Sequence, residues 1–493
     1  MYPELIFSGQ AYSADQIELD CRRLATALIQ HGVDEGGVVA IMLRNGLPFV
    51  QTALASRDLG AHFCPINWHF KRDEAAHILG DCGARVLIIE SDLFELIGAG
   101  IPADIKVLIA DDHWPEWLAT HAPWPGDASP RQPRGFIPYT SGTTGKPKGV
   151  KRVPPAPEAA AELAARAKDV YAAVINLGEG VRTLVSAPLY HSAPATYMLQ
   201  AAIARATLYL EPRFDAARTV KLIATEKISH AYMVPTMFHR ILDLPADQRD
   251  PASLASLSFV TCTGSPCPPP LKARFHKEIG PVIYECYASS ETGYITRISP
   301  EESARKPGSV GKAVGTASIM ILGPDNQPLK ANEPGRIFAR QPGTPDFDYI
   351  NRHEDRANIE SHGLVSVGDI GYLDEDGYLY LSDRQSDMVI SGGVNIYPAE
   401  IEATLAMMPQ VHDCAVFGIP DPEFGESLAC AVQIQPGETL TIEEVQNWIR
   451  ERMAAYKVPR EVVFHTELPR EETGKIFKRR LRAPYWEAAG RSI

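Results

Sequence analysis

Residues 139–149 read Tyr-Thr-Ser-Gly-Thr-Thr-Gly-Lys-Pro-Lys-Gly, and this segment decides how the rest of the chain is interpreted. It holds three glycines, four Ser or Thr hydroxyls and two lysines within eleven positions. Glycines let backbone N–H groups approach an oxyanion, hydroxyls donate hydrogen bonds, and lysines neutralise negative charge. The composition therefore predicts a phosphate-binding loop. A flexible surface loop is the alternative, but it accounts neither for the two lysines nor for the apolar lead-in at 136–139.

The segment does not follow the Walker pattern Gly-x-x-x-x-Gly-Lys-Ser/Thr. The residue five positions after Gly142 is Pro147, and Lys146 is not followed by a hydroxyl residue that could hold magnesium. This disfavours an ordinary P-loop NTPase.

Composition narrows the function classes. The chain has 493 residues, with 48 basic and 61 acidic side chains and a net charge of −13, which argues against a nucleic-acid or anionic-membrane binder. Hydrophobic residues make up 45% and charged residues 22%, as in globular proteins, and no run approaches the ~18 apolar residues of a membrane span. The first residues carry neither a basic nor an apolar leader segment. We therefore expect a soluble, cytoplasmic protein without integral membrane association.

The eight cysteines form no Cys-x-x-Cys pair. The closest two, Cys262 and Cys267, have no histidine pair at zinc spacing, so we expect buried reduced thiols rather than a structural zinc site.

The first 134 residues alternate between buried strands and helices, which predicts α/β layers with a mostly parallel sheet. Ser13 and Gln16 form a capping box that opens the first helix. We expect strands at 38–43, 85–89 and 106–110, a helix around 47–59 and a connecting loop over 112–134.

After about residue 300 the pattern changes to short strands and Gly/Pro/Asp turns, which predicts a small antiparallel β subdomain. A last unit begins near 387. Its expected elements are a helix opened by Pro398, a strand over 411–419 and a helix around 442–455. With 493 − 386 = 107 residues, this unit is long enough to be a separate domain.

Residues 139–149 closely resemble the signature loop of the adenylate-forming enzymes, a family that includes acyl-CoA synthetases, peptide-synthetase adenylation domains and luciferases. The resemblance continues in order along nearly the whole chain, which makes coincidence negligible. Five further family segments are matched, at 188–192, 287–291, 368–372 with 383–384, 391–396 and 469–476.

The resemblance implies a multi-domain α/β fold and a two-step reaction. A large N-terminal domain, 1–384, would contain layered α/β subdomains and a β-barrel-like subdomain at about 300–384. A hinge at 385–386 would join it to a small mobile α+β lid domain, 387–493. In the reaction, a carboxylate attacks the α-phosphate of ATP to give an acyl-adenylate and pyrophosphate, and a thiol then displaces AMP.

The resemblance also implies roles for particular residues around ATP. Tyr287 would offer a flat face to adenine, Asp369 and Arg384 would bind the ribose, and Ser290 would hydrogen-bond the α-phosphate. Glu291 would bind Mg²⁺, which typically takes one or two carboxylates besides phosphate oxygens. The phosphate loop would be formed by Thr140, Ser141, Gly142, Thr143, Thr144, Gly145 and Lys148.

The remaining implied roles concern the acid and the thiol. Lys475 would bridge the attacking carboxylate and the α-phosphate, while His191 would shape the mouth of the acyl pocket and gate between the two steps. Gly392 and Gly393 would leave a path for the pantetheine arm of CoA. The expected acyl pocket consists of His191, Ala193, Thr263, Gly264, Ser265, Tyr287 and Ala288.

Three positions depart from the family pattern. Ala288 replaces a glycine and adds a methyl group at the expected pocket wall, and Ser290 replaces threonine but keeps the hydroxyl. Ser386 stands where the hinge usually carries Asp or Lys, with Asp387 next.

The branch of the family is indicated by two absences. Amino-acid-activating members usually carry an Asp in the segment that corresponds to 189–195, and here that segment has no acid. Only 493 − 475 = 18 residues follow Lys475, too few for a carrier-protein domain. We expect an AMP-forming acyl-CoA or aryl-CoA ligase whose substrates are ATP with Mg²⁺, CoA and a fatty, aromatic or polycyclic acid without an α-amine.

Four alternatives stay open at this point: loading of a separate carrier protein or other acceptor, luciferase-like chemistry, a γ-phosphate-transferring kinase or ATPase, and a non-catalytic nucleotide-binding protein. Homodimerisation is also left open.

Overall fold

The computed structural model describes residues 2–127, 131–140, 147–384, 387–391, 394–470 and 476–489, with the backbone alone at Arg384 and Asn395. Within these ranges no helix combines the length and the apolar character needed to cross a membrane.

The first part of the chain alternates strands and helices, as predicted. Its elements are β1 (Glu4–Phe7), β2 (Gln10–Tyr12), α1 (Ala14–Gln30), β3 (Val38–Met42), α2 (Leu47–Asp58), β4 (His62–Pro65), α3 (Arg72–Asp81), β5 (Val86–Ile89), α4 (Ser91–Ile97), β6 (Lys106–Ile109) and α5 (Trp114–Ala119). Strands β4, β3, β5 and β6 form a parallel sheet in that order, and every residue of β3 and β5 is buried. This explains why both strands read as continuous apolar runs.

Two local predictions in this part are corrected. The expected loop over 112–134 contains α5, whose Trp114 is buried and donates from Nε1 to Gln51 Oε1 at 2.8 Å, so a tertiary contact stabilises a helix too short to be evident from sequence. The capping box is only half formed. Ser13 Oγ accepts from Gln16 N–H at 3.2 Å, but the Gln16 side chain donates to Asp20 instead of returning to Ser13.

The second part builds the large central sheet. Its elements are β7 (Tyr139–Thr140), β8 (Lys148–Arg152), α6 (Pro157–Val174), β9 (Arg182–Val185), α7 (Ser192–Ile203), β10 (Thr207–Leu210), α8 (Ala216–Glu226), β11 (His230–Met233), α9 (Pro235–Leu242), β12 (Phe259–Cys262), α10 (Pro269–Glu278), β13 (Ile283–Ser289), β14 (Gly293–Ile298) and α11 (Pro300–Arg305). Strands β13, β12, β11, β9, β10 and β1 are parallel neighbours, with β14 and β2 antiparallel at the two ends of this set.

The third part of the chain consists mainly of β-strands, and its treatment as a separate subdomain stays a prediction. Its elements are β15 (Ser309–Ala313), β16 (Ser318–Leu322), β17 (Gly335–Arg340), β18 (Phe347–Tyr349), α12 (His353–Asn358), β19 (Glu360–Ser361), β20 (Leu364–Val365), β21 (Asp369–Leu373) and β22 (Leu379–Arg384). Its antiparallel strands continue the central sheet through β15, which pairs with both β14 and β22. Strand β18 instead pairs with β8, which pairs with β7.

The last part forms a small α+β unit. Its elements are β23 (Val389–Ser391), β24 (Val394–Ile396), α13 (Pro398–Leu405), β25 (Val411–Asp421), β26 (Gly425–Ile434), α14 (Ile442–Arg450), β27 (Glu461–His465) and α15 (Lys478–Ala488). The strand expected at 411–419 is confirmed and runs to Asp421, whereas the helix expected to reach 455 ends at Arg450. The molecule thus has the predicted mixed α/β architecture with a large N-terminal and a smaller C-terminal domain. All eight cysteines are buried free thiols.

Candidate active site

The carboxyl ends of β9, β12 and β13 lie at one edge of the central sheet, because these strands and β11 are parallel. Three segments with predicted site residues follow these ends: 187–192 after β9, 263–265 after β12 and 288–291 at the end of β13. Ligands of open α/β sheets bind at this kind of edge. The topology therefore brings together three segments that lie between residues 187 and 291 of the sequence.

Glu291 lies at the tip of the hairpin that joins β13 to β14, with 8% of its surface exposed. Its Oε1 accepts a hydrogen bond from the Tyr349 hydroxyl at 3.0 Å, and Thr140 Oγ1 lies 3.5 Å from the same oxygen. The structure thus brings the Thr140 hydroxyl of the signature segment to the predicted metal ligand.

Two further contacts join predicted residues. Ser290 Oγ lies 3.0 Å from Ser192 Oγ, which connects the hairpin tip to the start of α7 and so to the His191 segment. The Tyr287 hydroxyl donates to Asp369 Oδ2 at 2.6 Å, so the expected adenine and ribose residues are neighbours. Arg384 is the strand partner of Asp369 across β21 and β22.

The signature segment is held at both ends by α3. The Tyr139 hydroxyl donates to Asp81 Oδ2 at 2.8 Å, and His77 Nε2 lies 3.2 Å from the Pro147 carbonyl oxygen. Gly149 is required by close approach, since a β-carbon there would lie 2.8 Å from the Tyr139 ring. Several predicted residues lie outside the described residues: Ser141, Gly142, Thr143, Thr144, Gly145, the hinge at 385–386, Gly392, Gly393 and Lys475.

Comparison with known proteins gives the family. Residues 2–345 match the AMP-binding enzyme family, and residues 400–475 match the AMP-binding enzyme C-terminal domain. The chain belongs to the AMP-binding enzyme family.

Two curated relatives span nearly the whole chain. Indoleacetate–CoA ligase of Aromatoleum aromaticum is 35% identical over 92% of this chain and 90% of its own length. Feruloyl-CoA synthase of an Amycolatopsis species is 32% identical over 96% of this chain and 94% of its own length. The predicted acid–CoA ligase branch of the AMP-binding family is therefore confirmed.

Solved structures agree with the fold. o-Succinylbenzoate CoA synthetase of Bacillus subtilis is 27% identical, and its complex with the acyl-adenylate superposes with a TM-score of 0.81 over 97% of this chain and 94% of that one. The complex of the same synthetase with ATP and a magnesium ion superposes with a TM-score of 0.83 over 97% of this chain and 96% of that one.

Within this AMP-binding enzyme, Lys148 makes contacts that the sequence did not predict. Its Nζ lies 2.8 Å from Asp355 Oδ2 and 5.3 Å from the centre of the Tyr349 ring. The ammonium lowers the pKa of the Asp355 carboxyl. Asp355 thus holds Lys148 beside Tyr349, the residue that hydrogen-bonds Glu291, and phosphate binding by Lys148 stays a prediction.

The expected acyl-pocket residues are small where they follow the strand ends. Thr263 is 2% exposed, and Gly264 has a φ of +96°, a conformation that favours glycine. A β-carbon at Gly264 would lie 3.8 Å from the Tyr232 hydroxyl, so a substituent there would approach the buried Tyr232. Ala193 and Ala288 both pack, half-buried, against the main core.

Asn45 supports this edge, although its role was not predicted. Its amide donates to the carbonyls of Ala187 and Glu211 at 2.9 and 3.0 Å, and its Oδ1 accepts from Leu189 N–H at 2.8 Å. A buried amide with these partners fixes the segment that leads to His191. The available signal was its position just after the apolar strand β3.

His191 precedes α7 and packs against Tyr190, with ring centres 4.3 Å apart. Burial, with a smaller effect from His69, lowers the pKa of His191 to about 4. Among the described residues its buried Nε2 has no hydrogen-bond partner. The imidazole is therefore neutral at physiological pH, which fits a wall of the site better than an acid or base.

This burial predicts a pH-dependent stability. Between the ordinary pKa of 6.5 and about 4, the unfolded chain binds a proton at His191 that the folded chain does not, so folding stability is lost as pH falls through this range. The slope is at most about 1.4 kcal/mol per pH unit for one such group.

We therefore expect the melting temperature of His191→Gln to fall less between pH 7.5 and 5.0 than that of the unchanged protein. His113→Gln, at an exposed histidine, is the matched control. Equal losses in the unchanged protein and both variants would show that His191 is not held neutral.

Proposed function

We propose that this enzyme activates a bulky apolar acid and transfers it to CoA, and that it prefers aromatic acids to polycyclic or fatty acids. A carboxylate oxygen attacks the α-phosphorus of ATP, the bond to the pyrophosphate oxygen breaks, and the acyl-adenylate forms. The CoA sulfur then attacks the acyl carbon and AMP leaves. The proposal is supported chiefly by the contact between Thr140 and Glu291 near the carboxyl ends of the parallel strands, next to the contact between Ser290 and Ser192.

The nucleotide roles follow from the contacts. Tyr287 and Asp369 are hydrogen-bonded neighbours, so one nucleoside would contact the tyrosine ring and the aspartate together. Ser290 would reach the α-phosphate from the hairpin tip. Lys475 would neutralise the repulsion between the two reacting anions.

A magnesium ion fits the residues around Glu291. The carboxylate is buried and has hydroxyl oxygens beside it, which are donors suited to a hard cation. In the described residues no group of three or more His, Cys, Asp or Glu side chains could hold a metal, so the other ligands would come from ATP and water, as Mg²⁺ prefers. When bound, the ion would neutralise charge on the phosphates.

The pocket residues and the curated relatives both bear on the class of acid. The segment 189–195 offers no carboxylate to pair with an α-amine, and Ala193, Gly264 and Ala288 are small residues, which suit the wall of a pocket for a wide substrate. The two curated relatives are named for indoleacetate and feruloyl substrates, both aryl acids. These observations favour an aryl acid without an α-amine.

A panel of acids tests the proposal. CoA-dependent AMP release would be measured with indole-3-acetate, ferulate, a long-chain fatty acid, acetate and phenylalanine. We expect the aryl acids to give the highest kcat/KM, at least about tenfold above acetate and phenylalanine. Preference for phenylalanine would contradict the acid class, and AMP release that is independent of CoA would indicate another acceptor.

Ala288 provides a finer test of the pocket. If its methyl group lines the acyl site, Ala288→Gly should shift selectivity towards bulkier acids by about tenfold at most, since one methyl group is worth roughly 1 kcal/mol. The KM for ATP is the internal control and should change little. An unchanged ranking across the panel would place the methyl group outside the pocket.

A further inference from the structure

Arg152 is a half-buried cation that belongs to none of the predicted site sets. It is the last residue of β8, three positions after Gly149 of the signature segment. Its Nη1 donates to the Glu291 carbonyl at 2.7 Å and to the Pro345 carbonyl at 2.9 Å, and its Nη2 donates to the Ser290 carbonyl. One guanidinium thus binds the backbone at two successive residues of the hairpin tip.

Arg152 stays charged despite its burial. Burial lowers the pKa of Arg152, while the Glu291 and Asp346 carboxylates oppose that effect, and a guanidinium stays protonated at physiological pH. The Phe347 ring lies 5.8 Å from its central carbon. A cation on backbone carbonyls makes stronger hydrogen bonds than a neutral donor, so this is a strong tether.

The hairpin tip needs such a tether because strand pairing ends before it. The last register pair is Ser289 with Gly293, and Gly293 has a φ of +74°. Within the turn, Ser289 Oγ accepts from Thr292 N–H at 3.0 Å. The backbone carbonyls of 290 and 291 point to Arg152, while the Glu291 carboxylate contacts Tyr349 and Thr140.

We propose that Arg152 is a positioning residue, which couples the strand leaving the signature segment to the tip that presents Ser290 and Glu291. The inference rests on the proposed function, in which Glu291 binds the metal of metal–ATP. In this role Arg152 acts through the backbone carbonyls that it binds, not through contact with substrate or metal. It fixes where the Glu291 carboxylate stands, and groups that orient a metal ligand affect metal affinity by about 10- to 100-fold.

The test compares Arg152→Met with Arg297→Met. Arg297, on β14, is a matched control because it also donates to a backbone carbonyl, that of Ala173 at 3.2 Å, and lies over an aromatic ring, that of Tyr284. The affinity for Mn²⁺–ATP, read from the EPR spectrum of Mn²⁺, requires no turnover. We expect Arg152→Met to weaken it by about tenfold or more and Arg297→Met to leave it unchanged.

Two further variants separate positioning from folding. Arg152→Lys keeps the charge but not the fork of donors, so it should recover only part of the affinity. Adding guanidine at millimolar concentration to Arg152→Ala should restore Mn²⁺–ATP binding, whereas it should do nothing for Arg297→Ala.

Equal affinity in Arg152→Met and Arg297→Met, or no rescue by guanidine, would overturn the inference. Product analysis of the unchanged protein tests the proposed function separately. If the unchanged protein makes ADP while Arg152→Met binds Mn²⁺–ATP more weakly, the proposed function is overturned and the inference stands. If the unchanged protein makes AMP while Arg152→Met binds Mn²⁺–ATP normally, the inference is overturned and the proposed function stands.

Discussion

Replacement of Lys475 by alanine is expected to slow acyl-adenylate formation by about 10²–10³-fold, the usual cost of removing one electrostatic contact to a transition state. The proposed role of its ammonium is to hold the attacking carboxylate against the α-phosphate, two anions that repel one another. That role exists only while the adenylate forms. Single-turnover adenylation, followed by pyrophosphate release, measures the loss.

The second half-reaction is the control for this prediction. Supplied with preformed acyl-adenylate and CoA, Lys475→Ala should make thioester at close to the unmutated rate. Arg480→Ala removes an exposed cation from the same tail and should leave both halves intact. If the rates of both half-reactions fall by a similar factor in Lys475→Ala, the lysine supports folding or general phosphate binding. The prediction of a lid motion would then have lost its main support.

Substitution of Glu291 by glutamine should slow adenylation on the order of 10²-fold at limiting magnesium. A neutral amide is a poor ligand for Mg²⁺, and a bound metal ion is worth several kcal/mol of charge stabilisation. Glutamine keeps the shape and an Oε1 that can accept from Tyr349, so the fold should be preserved. The measurement is the adenylation rate as a function of magnesium concentration.

Glu354→Gln is the matched control, because Glu354 is an exposed acid on α12 of the neighbouring subdomain. It should show the magnesium dependence of the unchanged protein. A Glu291→Gln variant with the same curve would remove Glu291 from the metal site.

Contiguous motifs were the part of the site that the sequence could predict. The segments at 139–149 and 287–291 each place several functional groups on one short stretch, and the apolar strands expected within the first 134 residues indicated a parallel sheet. The contact between Thr140 and Glu291, 151 residues apart, follows once both motifs are assigned to one site.

Residues whose partners are distant and carry no motif could not be predicted. Arg152 binds carbonyls 138 and 139 residues away, and Asn45 reaches Ala187 across 142 residues. Tyr349 lies in a short strand whose place beside Glu291 depends on the pairing of β18 with β8. Such contacts are set by the tertiary fold, as is the helix α5 around Trp114.

Transfer of oxygen from acid to nucleotide tests the central claim most directly. The acid, labelled with ¹⁸O in its carboxylate, would be incubated with ATP, magnesium and CoA, and the products analysed by mass spectrometry. If a carboxylate oxygen attacks the α-phosphorus and the thiol then displaces AMP, one ¹⁸O must appear in AMP and none in pyrophosphate. ADP as the nucleotide product, or unlabelled AMP with thioester formed, would contradict the acyl-adenylate mechanism.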